Sequence, residues 1–146
     1  MSSAEIAAGA RAESGVWASA LRGEPDWQPV FSPLAPGHLA TGLETVYEAY
    51  LVHYGSPRLF DVTDADEAVL LGDYLYAHGL VRIAESGGVE AVAVLAGLIS
   101  RCAALRADGE PGDGDAWIDA ARALGGTFGA DDARRALALH SARVAP

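Results

Sequence analysis

Residues 65–84 read Ala65-Asp-Glu-Ala-Val-Leu-Leu-Gly-Asp-Tyr-Leu-Tyr-Ala-His-Gly-Leu-Val-Arg-Ile-Ala84, and residues 89–105 read Val89-Glu-Ala-Val-Ala-Val-Leu-Ala-Gly-Leu-Ile-Ser-Arg-Cys-Ala-Ala-Leu105. On a 3.6-residue turn, Ala68, Val69, Leu70, Leu71, Tyr74, Leu75, Tyr76, Leu80, Val81 and Ile83 spread nearly all the way round the first helix. Val89, Val92, Val94, Leu95, Leu98, Ile99 and Cys102 do the same in the second, and Ser86-Gly-Gly88 separates the two. A helix that is apolar on all sides is buried on all sides. A small bundle has room for one such helix, and two are hard to enclose. Either both are simply central, or the excess apolar surface marks a partner. The expectation adopted is a protein–protein interface. Its residues are Leu70, Gly72, Tyr74, Leu75 and Gly79 from the first helix, and Val92, Leu95 and Ile99 from the second. Ala68, Gly72 and Gly79 form a small-residue seam that would let another helix approach closely.

The rest of the chain reads as helices around this pair. Residues 38–54 place Leu39, Leu43, Val46, Tyr47, Tyr50 and Leu51 on one face. Shorter helices are expected over 3–22, 115–124 and 131–143, with Asp115 and Asp131-Asp132 as N-caps. Four prolines within 24–37 forbid a helix there, while Trp27, Val30, Phe31 and Leu34 lay that loop against the core. No strand pattern is visible. The expectation is one all-α domain of about six helices over 1–146. Residues 1–37 form an N-terminal helix plus a Pro-rich loop, and 38–146 form the remaining helices. The chain has 146 residues, 51% hydrophobic and 21% charged, enough for a full core. Thirty are Ala, the best helix former.

Charge excludes one class of function. Twenty acidic residues stand against ten basic ones, all Arg, for a net charge of −10. Such a chain is a poor general binder of nucleic-acid phosphates. The lone Cys102 cannot form an internal disulfide, and residues 1–10 lack a basic stretch followed by an apolar run. A cytoplasmic location is therefore expected. No membrane span is expected either, because the uncharged middle of the most apolar stretch covers only 91–100, against about 20 residues needed.

The same two helices carry a family pattern. Leu70-Leu-Gly-Asp-Tyr-Leu-Tyr-Ala-His-Gly-Leu80 resembles a Leu-Leu-Ala-Gly-Asp-Tyr helix of the trans-polyprenyl diphosphate synthases, of isoprenoid-synthase fold. Val89-Glu-Ala-Val-Ala-Val-Leu-Ala-Gly-Leu-Ile-Ser-Arg101 resembles the helix after it. Tyr50-Leu-Val-His53 resembles the approach to that family's first aspartate-rich motif, and residues 117–132 resemble a later segment. Order and rough spacing agree over about 39–143. Where the family has its first two aspartates this chain has Tyr54 and Gly55, and the second aspartate motif would fall after the last helix, past residue 146. The basic diphosphate-binding element expected before Leu39 is replaced by Leu34-Ala-Pro-Gly37.

The resemblance thus implies a truncated isoprenoid-synthase bundle of the short, non-catalytic small-subunit type. Such a subunit would bind no cofactor itself. It would pair with a full-length large subunit that holds Mg²⁺, and it would influence product length. Ala49, Tyr50 and Tyr54 would then be candidates for lining an elongation tunnel. The alternative is a stand-alone helical interaction module, self-associating and without an enzymatic role.

Other constellations are weaker. Asp61, Asp64 and Asp66 could form a surrogate metal site, but helix capping and first-turn charge account for Asp64 and Asp66. His53 lacks a partner that would make it a base. His38, His78 and His140 show no zinc spacing, and Ser100 and Cys102 lack a paired base.

Overall fold

The computed structural model describes residues 2–144; Met1, Ala145 and Pro146, at the ends of the 1–146 domain, lie outside the described residues. The fold is all-α. Its helices are α1 (Ser2–Glu13), α2 (Gly15–Ala20), α3 (Ala40–Tyr54), α4 (Ala65–Ala107), α5 (Asp113–Ala123) and α6 (Ala130–Arg143). Short 3₁₀ turns at Ser32–Leu34 and Gly37–Leu39 lead into α3. Among the described residues, strand-like pairing is confined to two isolated bridges, Leu21 with Phe60 and Gly55 with Val144.

Three boundaries differ from the sequence expectation, each for a local reason. The first helix breaks at Ser14, whose extended backbone lets its Oγ accept from the N–H groups of Val16 and Trp17 and so start α2. The helices on either side of Ser86-Gly-Gly88 run on as one element, α4, jointed at Gly88 (φ 76°, ψ −172°). That backbone conformation is open to glycine. Helix α5 starts two residues early, after Gly112, which also has positive φ.

The central helix is α3, where every residue over 42–51 is buried, including Glu44, Thr45 and Glu48. It lies antiparallel along α4, and glycines set how closely the two approach. A Cβ on Gly42 would sit 2.7 Å from Ile83 Cδ1, and one on Gly79 would sit 2.7 Å from Val46 Cγ2. A Cβ on Gly72 would overlap the His53 ring. The small-residue seam of α4 therefore receives a helix, but that helix is α3 of the same chain.

Two carboxylates on a fully buried helix need compensation, and Arg58, in the connector to α4, supplies it. Its Nε donates to Glu48 Oε1 at 2.9 Å, and its Nη1 donates to Glu44 Oε1 and to the Gln28 carbonyl, both at 2.9 Å. All three side chains are at most 1% exposed. The Trp27 ring covers the guanidinium at 4.1 Å. The carboxylates also serve the backbone: Val30 N–H donates to Glu44, and the Arg58 and Leu59 N–H groups donate to Glu48. Burial pushes the Glu44 carboxyl up, against the pull of Arg58. For Arg58, burial works against the charge, but Glu44 and Glu48 outweigh it and hold the guanidinium protonated.

The proline-rich loop closes over this cluster, with Val30, Phe31 and Leu34 buried. Phe31 stacks on Trp117 of α5, ring centroids 5.3 Å apart. Removing the cation isolates two buried carboxylates, so Arg58→Met is expected to cost about 3–5 kcal/mol. A urea titration followed by circular dichroism checks this; a loss below about 1 kcal/mol would show that the cluster is not structurally required.

Candidate functional site

Helix α4 has two faces of different make-up. Inward it presents Leu71, Leu75, Ile83, Leu95, Leu98 and Cys102. Outward, in the segment after Gly88, it presents Val89, Ala93, Ala96, Gly97, Ser100 and Ala104, all exposed. Before Gly88 the outward face carries Val69, Leu70, Ala77 and Val81. Val89 is 84% exposed and Leu70 60%. By length and composition α4 is apolar enough to cross a bilayer. Its most apolar 18-residue window has a mean hydropathy of 1.7, and only 17% of that window is buried. Large branched residues turned inward and valine, alanine and glycine turned outward leave a shallow apolar surface with little relief.

The expected interface residues divide between these faces. Leu70 is exposed, and Tyr74, Val92 and Ile99 are half-buried at the margin. Gly72, Leu75, Gly79 and Leu95 are buried inside the chain itself and offer nothing to a partner. The correction has a simple cause. A helix apolar all round does not reveal which side turns inward, and α3 takes the side with the glycine seam. The residues missed, Val69, Val81, Val89, Ala93 and Gly97, are exposed along α4.

A second constellation joins four helices at one carboxylate. Asp113 Oδ2, at the start of α5, accepts from Tyr50 Oη at 2.6 Å, from Arg106 Nη2 at 2.8 Å and from His140 Nε2 at 3.0 Å. The other ring nitrogen of His140, Nδ1, lies 2.7 Å from Tyr47 Oη. The neutral tautomer protonated on Nε2 satisfies both bonds, with the tyrosine hydroxyl donating to Nδ1. Asp113 and Arg106 reach the wall of a cavity of about 580 Å³, together with Leu105, Pro111, Ser141 and Val144. An Asp–His–Tyr chain of this kind resembles a proton relay, but Tyr47 is 0% and His140 3% exposed. Tyr47 packs against Phe31 and Trp117, His140 packs against Phe31, and neither lies on the cavity wall. The cluster therefore acts as a clamp on α3, α4, α5 and α6.

The remaining candidates fall into packing roles. Ala49 is buried beside Ile6, Leu71 and Leu75. Tyr50 stands edge-on to Trp117 and 4.9 Å from the ring of Tyr54. Neither Ala49, Tyr50 nor Tyr54 lies on the wall of the neighbouring cavity. His53 stacks on Tyr76 at 5.2 Å, with Nε2 3.5 Å from Asp73; burial lowers its pKa, and Asp73 only partly opposes this. Asp64 caps α4, its Oδ1 accepting from Glu67 N–H at 2.9 Å. Asp61 borders an open cavity with Val16, Ser19 and Glu67. Among the described residues, no three His, Cys, Asp or Glu side chains stand together to hold a metal ion.

Compared with protein families, characterised proteins and solved structures, the chain shows no significant match.

Burial pushes the Asp113 carboxyl up, but the bonds from His140, Tyr50 and Arg106 outweigh it and hold the carboxyl well below the usual carboxylate range. A depressed folded-state pKa gives stability that is present above the unfolded value, about 3.9, and is lost as pH falls below it. Asp113→Asn is therefore expected to cost about 1.5–3 kcal/mol near neutrality. The gap to wild type should hold from about pH 5 to 8 and shrink below about pH 4. Thermal melts of both proteins against pH test this, and the difference removes Glu44, whose raised carboxyl acts in the opposite direction. A gap independent of pH would contradict the assignment.

Burial, reinforced by the charge of Asp113, pushes the Cys102 thiol up to about 12. Native protein at pH 8 should therefore react with a disulfide reagent only on unfolding; rapid native labelling would contradict this.

Proposed function

We propose that this chain is a non-catalytic helical subunit that docks a partner protein on the outer face of α4. The partner named by the sequence resemblance is a full-length, aspartate-rich trans-polyprenyl diphosphate synthase. The observation that carries this reading is the apolar, exposed outer face of α4 on a chain of net charge −10. Several large apolar side chains exposed along one helix of a charged protein are characteristic of an interface. The sequence adds that the positions matching the family's first aspartate motif are Tyr54 and Gly55. A chain with this composition would leave Mg²⁺ and both diphosphates to the partner, contributing stability and control of product length.

Helix α4 also bears on the membrane alternative. Its inner face carries the core, and Gly88, Glu90 and Arg101 interrupt its apolar run. These features favour a protein over a lipid as the occupant of the outer face.

The test is co-expression of the chain with such a synthase. The expected result is co-purification and a shifted product length. Val89→Asp and Gly97→Arg should each weaken association at least about tenfold, equivalent to about 1.4 kcal/mol. Neither change should disturb the fold: Val89 is exposed, and a Cβ on Gly97 meets nothing within 4 Å. Absence of co-purification with unchanged prenyl-transfer products would overturn the proposal.

A further inference from the structure

A smaller cavity, of about 260 Å³, lies between the proline-rich loop and α6. The loop lines it with Pro29, Val30, Pro33 and Leu34, and α6 lines it with Ala136 and Leu139. The loop side is set before any ligand arrives. The Gln28 carbonyl accepts from Arg58 at 2.9 Å, and the Val30 N–H donates to Glu44 at 3.2 Å. Pro29 and Pro33 have fixed φ. A preformed apolar wall spares a ligand the cost of ordering it.

Two charges of opposite sign border this apolar lining, Asp132 and Arg135 of α6. Residues three apart on a helix are neighbours, and the pair one position earlier, Asp131 and Arg134, closes into an ion pair. Asp132 and Arg135 do not close: neither has an ion-pair partner among the described residues. Asp132 Oδ2 accepts from the Gly129 N–H at 3.3 Å, and its Oδ1 has no such bond among the described residues. The larger cavity beside α5 differs on this point, because Arg106 there donates to Asp113 at 2.8 Å.

We infer that the cavity between the proline-rich loop and α6 binds a free apolar α-amino acid, its carboxylate on Arg135, its ammonium on Asp132 and its side chain against Pro29, Pro33 and Leu139. A zwitterion meets both charges at once. A simple carboxylic acid would leave Asp132 unmatched, and a simple amine would leave Arg135 unmatched. A zwitterion is also neutral overall, so the net charge of −10 does not repel it as it would an anion. The guanidinium offers a carboxylate two parallel N–H donors. The volume falls just below the range of about 300–1,000 Å³ that holds drug-sized ligands, which suits one amino acid rather than a peptide. Both charged side chains are exposed, so each ionic contact is weak and the apolar side chain must add to it. The expected dissociation constant is therefore about 1 mM. The site does not involve α4, and its outcome is independent of the proposed docking face.

The experiment is an NMR titration of the full chain with L-leucine and with L-phenylalanine, read on the methyl groups of Val30, Leu34 and Leu139. Saturable shifts are expected with at least one of the two. Free glycine lacks the side chain, N-acetyl-L-leucine lacks the ammonium and L-leucinamide lacks the carboxylate; each should bind at least about tenfold more weakly. Asp132→Asn keeps an oxygen for the Gly129 N–H, and Asp132→Asn and Arg135→Gln should each cost a similar factor with helicity unchanged. The analogues probe the same contacts on unaltered protein, so a variant that misfolds does not shelter the inference. Absence of saturable shifts with both amino acids overturns it. So does glycine binding as tightly as they do, or binding indifferent to both the acetyl and the amide group.

Discussion

The ion cluster of Arg58 with Glu44 and Glu48 is the constraint that organises the rest of the molecule. Both carboxylates sit one turn apart on α3, which is buried through nearly three turns. Burying them without a cation would cost far more than a domain of this size can supply. Arg58 comes from the connector that follows α3, so the chain must fold back at that point, and this reversal lays α4 along α3. The same guanidinium holds the Gln28 carbonyl and lies under Trp27, fixing the proline-rich loop. With the loop in place, Phe31 reaches Trp117 and Tyr47, and α5 and α6 are seated. The Asp113 clamp then fastens the far ends of α3, α4, α5 and α6.

This arrangement explains why the most apolar helix is not the most buried one. Helix α3 takes the centre because its charged groups have dedicated partners, and α4 is left covered on one side only. The inner side uses leucine and isoleucine for packing and glycine for close approach. The outer side exposes Val69, Leu70, Val81 and Val89 with alanine and glycine among charged residues such as Asp73, Glu85, Glu90 and Arg101, more large apolar surface than a simply solvated face needs. It is the feature of the molecule most directly suited to association.

Much of the architecture was legible in the sequence. The helical class followed from alanine content and apolar periodicity, and the inward lay of Val30, Phe31 and Leu34 followed from apolar residues among prolines. The excess of apolar surface over α4 was legible too, as a quantity. Its direction was not, because an all-round apolar helix has no pattern to orient it; Gly72 and Gly79 face His53 and Val46 of the same chain. The ion cluster was hidden because Glu44 and Glu48 look like surface residues unless the position of Arg58 is known. The Asp113 clamp joins residues from positions 47 to 140, and no local spacing announces it.

The proposed partner would cover the outer face of α4 and leave the glycine seam to α3. The most direct measurement is solvent paramagnetic relaxation of the valine and alanine methyl groups by NMR, compared between dilute and assembled protein. At dilution, Val89, Ala93, Ala96 and Ala104 should be relaxed by the probe as strongly as exposed Val16. On assembly those four should lose the effect while Val16 keeps it. Continued exposure of all four in the assembled protein would contradict the account.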